Sequence, residues 1–277
     1  MAMHGQMRAN EPGGELPLAP GLNASLTAAT QHDSANGWTS LLTPTILWRF
    51  SSRFSLDATL PVFTSITTEV NTGTRRRPAY DLQTKHHAVG DLQVSGLYEH
   101  RWQAWENTAA LTLGLPTGKT SYGLGAGKLT YALSDRLGYS FERVTPDFEL
   151  ATGNSSTVIG SGPTLPYVAN ATFLYVQTGA TVDLPRGIDI RAEMFEMLPL
   201  SDATVYSTAS TGKLAAAEED EEDGSGEDNG LNLSATVPVA SHWSVGGFYT
   251  RSLVNHYDIG GFSLTYSLRP RARKTRF

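Results

Sequence analysis

The sequence is poor in several features, and each shortage excludes a class of protein. It contains no cysteine, which excludes disulfide frameworks, thiolate metal sites and cysteine nucleophiles. No apolar run approaches the roughly 18 residues that a membrane-spanning helix needs, so a helical membrane protein is excluded. Charged residues are only 17% of the chain, below the roughly 25% of an ordinary soluble domain.

In place of charge, the chain has many Thr, Ser, Gly, Asn and Tyr residues, which suit a sheet with one apolar and one polar face. Segments of period 2 recur between turn residues. In the clearest of them, 229–239, Leu231, Leu233 and Ala235 alternate with Asn232 and Ser234. This alternation is typical of the strands of a transmembrane barrel, which face lipid on one side and the lumen on the other.

The alternating segments predict an all-β protein, a transmembrane antiparallel up-and-down β-barrel of about 12 strands, with 10 or 14 left possible. The predicted strands cover 21–30, 37–49, 53–64, 88–101, 104–115, 128–141, 147–153, 166–181, 187–199, 229–239, 242–254 and 257–268. Aromatic residues such as Trp102 and Trp105 lie near the strand ends. They are expected in an interfacial aromatic girdle, and the ordinary preference of aromatic residues for strands is the alternative explanation.

The predicted connections support a barrel because short turns alternate with long loops, as in bacterial outer-membrane barrels. Short links are expected near 51–52, 102–104, 145–147, 185–187 and 240–242, and long ones at 65–87, 116–127, 154–165 and 200–228. A soluble β-sandwich is the alternative. The predicted organisation is an N-terminal periplasmic extension (1–20), the barrel (21–268) with an acidic extracellular loop (200–228), and a basic tail (269–277).

The expected location is the bacterial outer membrane, in contact with outer-membrane lipids and lipopolysaccharide after insertion by the barrel-assembly machinery. The first twenty residues of the given sequence contain no apolar stretch of the signal-peptide kind, although such a barrel has to be exported. The basic tail RPRARKTRF would lie in the periplasm, so we expect no nucleic-acid partner.

Several polar residues fall on strand faces predicted to point into the lumen, where they could set selectivity or merely rigidify the interior. They are Asp91, Gln93, Arg136, Asp189, Arg191 and Glu193. An isolated inward carboxylate needs water or a cation, and Arg136 or Arg191 could pair with Asp91.

The acidic stretch at 218–228 holds eight carboxylates and is expected to lie in water within the longest loop. It lacks the spacing of an EF-hand, so a solvated loop is favoured over a calcium site. Arg75, Arg76 and Arg77 in another predicted loop could contact lipopolysaccharide phosphates or this stretch. No metal and no cofactor are expected.

Two short motifs carry a resemblance to a known family. Gly90 and Asp91 open the strand AVGDLQVSGLYEHRW, and Pro116, Thr117 and Gly118 end the strand that leads into a glycine-rich loop. In this order and spacing, the chain resembles the outer-membrane transporter-like proteins named for the meta-pathway of phenol degradation, which are distantly similar to long-chain fatty-acid transporters. The resemblance implies uptake of hydrophobic or aromatic compounds.

The leading hypothesis is therefore an outer-membrane channel or uptake barrel for small hydrophobic or aromatic molecules, with no catalytic residues. One alternative is an outer-membrane lipid hydrolase, for which His100, His242 and His256 are available together with many serines. Another is a structural or adhesive barrel that acts through its loops. The run GLGAGK leads into a strand and lacks the spacing of a nucleotide-binding loop.

Overall fold

The computed structural model describes residues 20–34, 37–71, 80–118, 124–159, 167–207, 217–221 and 226–268. One 3-10 turn lies at Pro185–Gly187. Within these ranges, no helix is long and apolar enough to cross a membrane. The basic tail, Arg75 to Arg77 and residues 1–19 of the predicted N-terminal extension lie outside the described residues.

Strands account for most of the described chain. In order they are β1 (Gly21–Asp33), β2 (Gly37–Arg49), β3 (Phe54–Thr59), β4 (Val62–Asn71), β5 (Tyr80–Val89), β6 (Leu92–Trp102), β7 (Trp105–Leu115), β8 (Thr130–Tyr139), β9 (Val144–Gly153), β10 (Tyr167–Asn170), β11 (Phe173–Leu184), β12 (Ile188–Pro199), β13 (Ala203–Ser207), β14 (Ala217–Glu221), β15 (Asp228–Pro238), β16 (Trp243–Ser252) and β17 (Asp258–Ser267).

Fourteen of these strands form one antiparallel sheet that closes on itself, because β1 pairs with β2 on one edge and with β17 on the other. We call each full-length segment of the barrel wall a stave. Two staves are each built from two strands, β3 with β4 and β5 with β6, so the wall has twelve staves. The predicted β-barrel of twelve strands is confirmed. Closure pairs the backbone groups that an open sheet would leave exposed.

The interruptions of the two divided staves lie side by side. Pro44 and Pro61 have no N–H to donate, and the pairing of β2 with the β3–β4 stave is interrupted between Leu42 and Thr45. The Leu60 N–H donates to the Pro44 carbonyl there at 3.2 Å. On the next stave the Gly90 N–H donates to the Pro61 carbonyl at 2.9 Å. Within the described residues, β5 pairs with β4 alone, and Leu124 from the loop after β7 packs near the break.

The two faces of the wall differ as the alternation predicts. On β8, Tyr131 and Leu133 point outward and are 48% and 56% exposed, whereas Thr130 and Ala132 point inward and are 0% and 2% exposed. The outward band of Leu, Ile, Val and aromatic side chains continues around the sheet. An apolar outer band on a closed sheet is the structure of a transmembrane barrel.

We call the end with the two terminal strand ends and the short connections the turn end, and the opposite end the loop end. At the turn end, an unbroken row of neighbouring rings follows the outer wall from β2 to the turn before β9, with centroids 4.4–6.4 Å apart. The row consists of Trp48, Phe50, Phe54, Tyr98, His100, Trp102, Trp105, Tyr139 and Phe141. Such a row is typical of an interfacial girdle.

At the loop end, several predicted loops are wrong in part. The segment 65–87 contains most of the β4–β5 hairpin, and 200–228 contains β13 and β14, which form a small sheet with β10. The predicted strand 166–181 is divided between β10 and β11. Polar Thr, Ser and Glu residues predict loops, but here the backbones of neighbouring segments pair with each other.

Candidate functional site: the barrel lumen

The inward side chains divide the lumen into two halves of different chemistry. In the turn half, charged residues from neighbouring staves form a connected cluster. Arg136 on β8 contacts Asp147 on β9 at 3.0 Å, and Arg191 on β12 contacts the same carboxylate at 3.2 Å. Arg191 also pairs with Glu193 through its Nε atom. We call these four residues the charged cluster.

Neutral amides complete the hydrogen bonding of the charged cluster. Gln177 donates to Oε1 of Glu193, and Asn232 donates to Oε2 of Glu193 at 2.6 Å. The hydroxyl of Tyr175 donates to Gln177, and that of Thr250 donates to Asn232 at 3.1 Å. The buried carboxylate of Glu193 is therefore satisfied from several staves, which is the condition under which buried charge is tolerated.

A second ion pair stands on another part of the wall. The guanidinium of Arg49 on β2 binds the carboxylate of Glu99 on β6 in a bidentate arrangement, with distances of 2.8 and 3.0 Å. Bidentate pairs of this kind fix the orientation of both side chains. The turn half of the lumen therefore presents paired charges in fixed positions.

Sequence reasoning missed Asp147 as a member of the charged cluster. A turn was expected at 145–147, but β9 begins at Val144 and the turn precedes it, where Phe141 and Val144 form a bridge. With the correct start of the strand, the alternation places Asp147 and Glu149 on the inner face. The period-2 pattern of β9 was therefore the signal that could have found both residues.

The remaining predicted lumen residues lie at different levels. Asp189 is half-buried at the turn end, directly opposite Asp183 in the β11–β12 ladder. Gln93 is buried in the loop half, where its Nε2 atom donates to the Thr157 carbonyl at 2.7 Å. Gly114 of β7 pairs with Gln93 of β6 on one side and with Thr130 of β8 on the other, so Gln93 and Thr130 lie at the same level of the barrel.

Asp91 holds a loop and does not join the charged cluster. Its carboxylate is fully buried and accepts the backbone N–H groups of Gly118 at 2.8 Å and Ala126 at 2.7 Å. Arg136 lies six residues beyond Thr130 on β8, about 20 Å along the strand from the level of Gln93. The predicted pairing of Asp91 with Arg136 is wrong because the two residues lie at different levels of the barrel.

The two family-like motifs bind each other across the divided stave. The Thr117 hydroxyl donates to the Gly90 carbonyl at 2.9 Å and accepts the Leu92 N–H at 2.8 Å. A Cβ on Gly118 or Gly125 would lie 2.8 or 2.6 Å from Oδ1 of Asp91. Only glycine permits this approach, so the motifs form a fixed junction between the wall and the loop after β7.

Two groups of buried apolar side chains lie in the loop half of the lumen, beside buried polar residues such as Gln93 and Asp228. One group, the Phe173 cluster, joins inward residues of β9, β11, β12 and β17 to residues of the loop-end segments: Ala151, Ile159, Ala169, Ala171, Phe173, Tyr175, Phe195, Met197, Ala203, Tyr257 and Ile259. A second group, the Leu41 cluster, consists of Ala29, Leu41, Phe63, Ile66, Ala88 and Leu124. Such aromatic and aliphatic packing is unusual for the polar interior of a porin.

Part of the acidic stretch is also inside the barrel, contrary to the expectation that all eight carboxylates lie in water. Asp228 is fully buried and accepts hydrogen bonds from the hydroxyls of Ser252, at 2.6 Å, and Tyr257. Among the described residues, no three His, Asp or Glu side chains converge to hold a metal ion.

The histidines considered for catalysis have structural surroundings where their contacts are described. His100 lies within the outer aromatic row, between Tyr98 and Trp102. His242 contacts the Ser267 carbonyl through Nδ1 at 2.8 Å. These contacts hold the two rings at the turn end.

The closed twelve-stave sheet, its apolar outer band and its interior of paired charges define the class: a transmembrane β-barrel of the bacterial outer-membrane kind. The COG4313 outer membrane channel from Pseudomonas putida F1 matches it with a TM-score of 0.64 at 12% identity, covering 94% of this chain and 100% of that one. The KdgM porin, solved alone and in complex with disordered oligogalacturonate, matches with a TM-score of 0.52 at 8% identity, covering 87% and 98%.

These likenesses show the fold, which is that of outer-membrane channels and porins. No family model matches the sequence, and no curated protein matches it. The resemblance to the phenol-degradation family therefore stays a prediction.

Proposed function

We propose that the chain is an outer-membrane channel for small hydrophobic or aromatic molecules. The observation that carries this proposal is the apolar loop half of the lumen, where Phe173, Phe195 and Met197 point inward and are buried. A channel for sugars or ions has a polar interior throughout. Aromatic and thioether side chains offer a solute of similar chemistry an adaptable apolar surface.

The turn half would then screen solutes by charge. Arg136, Arg191 and Glu193 are held by neighbours on other staves, so a passing solute meets fixed charges of both signs. Asp189 extends this region toward the turn end. Gln93 and Asp91 act at the other level, where they hold loop-end segments in the lumen.

Uptake of a hydrophobic dye by living cells tests the substrate class. N-phenyl-1-naphthylamine fluoresces in lipid and enters cells slowly through an intact outer membrane. We expect several-fold faster uptake by bacteria that express this chain. The variant Phe195→Ser should lose most of the gain, because it places a hydroxyl in the apolar lining.

The matched control is Phe148→Ser, which changes the same residue type on the outer face, where Phe148 is exposed. It should keep the uptake of the unmodified chain at equal expression. Equal loss in both variants, or uptake of sugars without uptake of the dye, would contradict the apolar route.

Ion conductance of the purified barrel in planar bilayers tests the charged half. Removing one cation by Arg191→Gln shifts the balance of the charged cluster toward its carboxylates, so the reversal potential in a salt gradient should move toward cation selectivity. An unchanged reversal potential would remove the charged cluster from the conduction path.

A location in the outer membrane and insertion by the barrel-assembly machinery are parts of the same proposal. The turn end would face the periplasm, and the loop end would contact lipopolysaccharide. Protease added to intact cells should then cleave at the loop end and spare the turn end. Cleavage restricted to lysed cells would oppose this orientation.

A further inference from the structure

Gln31 has an unusual position in the loop half of the lumen. It lies on the inner face of β1 and is 0% exposed. Among the residues that the structure describes, neither its Nε2 nor its Oε1 atom has a hydrogen-bond partner. An amide has two donors and an acceptor with two lone pairs, so a whole polar group is unsatisfied.

Other amides of the interior are paired at least in part, since Asn170 donates through Nδ2 although its Oδ1 has no partner among the described residues. Gln177 and Asn232 donate to Glu193, and Gln93 donates to a loop carbonyl. The in-register neighbours of Gln31 are Thr39 on β2 and Gly261 on β17, and neither of them satisfies the amide. The interior can therefore satisfy buried amides, and at Gln31 it does not.

Gln31 lies at the boundary between the two apolar groups of the loop half. On one side, Ala29 and Leu41 of the Leu41 cluster face each other one inward position below it. On the other side, β17 brings Ile259 of the Phe173 cluster level with Asp33, one inward position above it.

Gly261 opens the space beside Gln31. It is the direct partner of Gln31 in the β1–β17 ladder, and a Cβ on it would lie 2.8 Å from both Cβ of Gln31 and Cε1 of Phe248. The absence of a side chain allows the Phe248 ring to approach Gln31 across the strand. An aromatic surface therefore adjoins the unpaired amide.

The unpaired amide lowers the stability of the barrel, since burying a polar group without a partner costs free energy that a methionine of similar length would not. Residues that lower the stability of a protein in this way are expected at functional sites. A solute that brings a hydroxyl or carbonyl group to this amide would restore its hydrogen bonds. Asp33, buried one inward position away, disfavours an anionic solute.

We propose that Gln31 is the polar recognition point of a solute-binding site in the loop half, selective for uncharged molecules with one hydroxyl or carbonyl group on an apolar body. The proposal rests on the channel function above and names its substrate class. Because Gln31 is fully buried, the solute enters by displacing apolar side chains and then binds the amide and the neighbouring Phe248 ring.

Isothermal titration calorimetry with a matched pair of probes tests this proposal. Benzyl alcohol and ethylbenzene have the same shape and differ by a hydroxyl in place of a methyl group. Titrations into the full chain in detergent, corrected by titrations into detergent alone, should show about tenfold tighter binding of the alcohol, as expected for a hydrogen bond gained at a buried unpaired amide.

The test variant is Gln31→Met, and the matched control is Leu41→Met, which changes a neighbouring inward residue of the Leu41 cluster. Gln31→Met should bind ethylbenzene more tightly than the alcohol, because the hydroxyl would then be buried without a partner, whereas Leu41→Met should keep the preference for the alcohol. Gln31→Met should also unfold at an equal or higher urea concentration than the unmodified chain. If it does not fold, Gln31→Leu provides the same comparison.

An alcohol preference that persists in Gln31→Met would overturn the proposal, and so would an unmodified chain that binds neither probe. The dye-uptake assay separates this failure from failure of the channel function. Dye uptake that continues while the titrations show no alcohol preference leaves the channel in place and removes only the recognition point, because the dye carries neither a hydroxyl nor a carbonyl group. Loss of both removes the channel as well.

Discussion

The two halves of the lumen are built on the same staves but are stabilised by different interactions. On β12, Arg191 and Glu193 belong to the charged cluster, and Phe195 and Met197, the next two inward residues, belong to the Phe173 cluster. The chemistry changes within two inward positions of one strand. The turn half depends on pairing between charges, and the loop half depends on packing.

This difference shows how the interior of one membrane barrel can be charged at one end and partly apolar at the other. The staves extend from one half to the other, so inward alternation alone does not decide whether the lumen is polar. The polarity of each level depends on the side chains that neighbouring strands supply. Arg191 forms an ion pair with Asp147 of β9, whereas Phe195 packs against apolar neighbours. Mutations that remove one kind of partner should affect one half and spare the other.

The largest expected effect is the loss of the shared carboxylate of the charged cluster. Asp147→Leu leaves Arg136 and Arg191 without the anion that both contact, and should lower the free energy of unfolding by about 3–5 kcal/mol. Urea unfolding of the barrel in lipid vesicles measures it. Asp189→Asn, at a half-buried position, is the control with a smaller expected loss. A loss below about 1 kcal/mol for Asp147→Leu would show that pairing does not hold the turn half.

The packing of the loop half can be tested on the same strand. Met197→Ala removes a side chain that is 2% exposed and should cost about 2–4 kcal/mol. Met194→Ala, at a lipid-facing position that is 59% exposed, should cost much less. The same urea series compares both variants at low and high salt. Strong salt dependence of the Met197 effect would contradict a half that is held by packing.

The Asp91 junction should show an intermediate effect limited to the loop after β7. Asp91→Asn removes the charge that accepts the N–H groups of Gly118 and Ala126, and should weaken the junction by about 1.5–3 kcal/mol. Hydrogen exchange at these two amides should accelerate about tenfold or more. Exchange in the charged cluster, for example at Arg191, is the internal control. Equal acceleration everywhere would mean that the whole barrel is destabilised.

The smallest expected effect is on the outer wall, where one carboxylate stands among apolar residues. Asp135 is exposed on β8 between Leu133 and Leu137, and its Oδ1 accepts a hydrogen bond from Asn107 at 2.6 Å. Asp135→Leu should raise the free energy of unfolding by about 1 kcal/mol, because it removes a charge from the lipid face. The same substitution at the inward Asp147 should instead lower the free energy of unfolding. A stability loss in Asp135→Leu would indicate that the Asn107 contact outweighs the lipid contact.

Much of the barrel could be predicted from the sequence because inside and outside alternate with a period of two. Predicted strands such as 37–49 and 187–199 lie within one residue of β2 and β12. The predicted strand bounds were wrong where a strand has the polar composition of a loop or where a turn was placed at the wrong residues. The polar hairpin of β4 and β5 resembles a loop in composition, and one misplaced turn concealed Asp147.

The sequence by itself therefore predicted a barrel of about twelve staves, their order and the side of the wall on which most residues lie. Only the tertiary structure decided which residues meet. Barrel closure places Thr27 against Thr265 at 2.9 Å, and it brings Arg136 and Arg191 from separate staves to Asp147. It also places Gln31 between two apolar groups, where its amide has no partner within the described part of the chain. Alternation is a local property of each strand, whereas these contacts depend on register and closure, which are properties of the whole sheet.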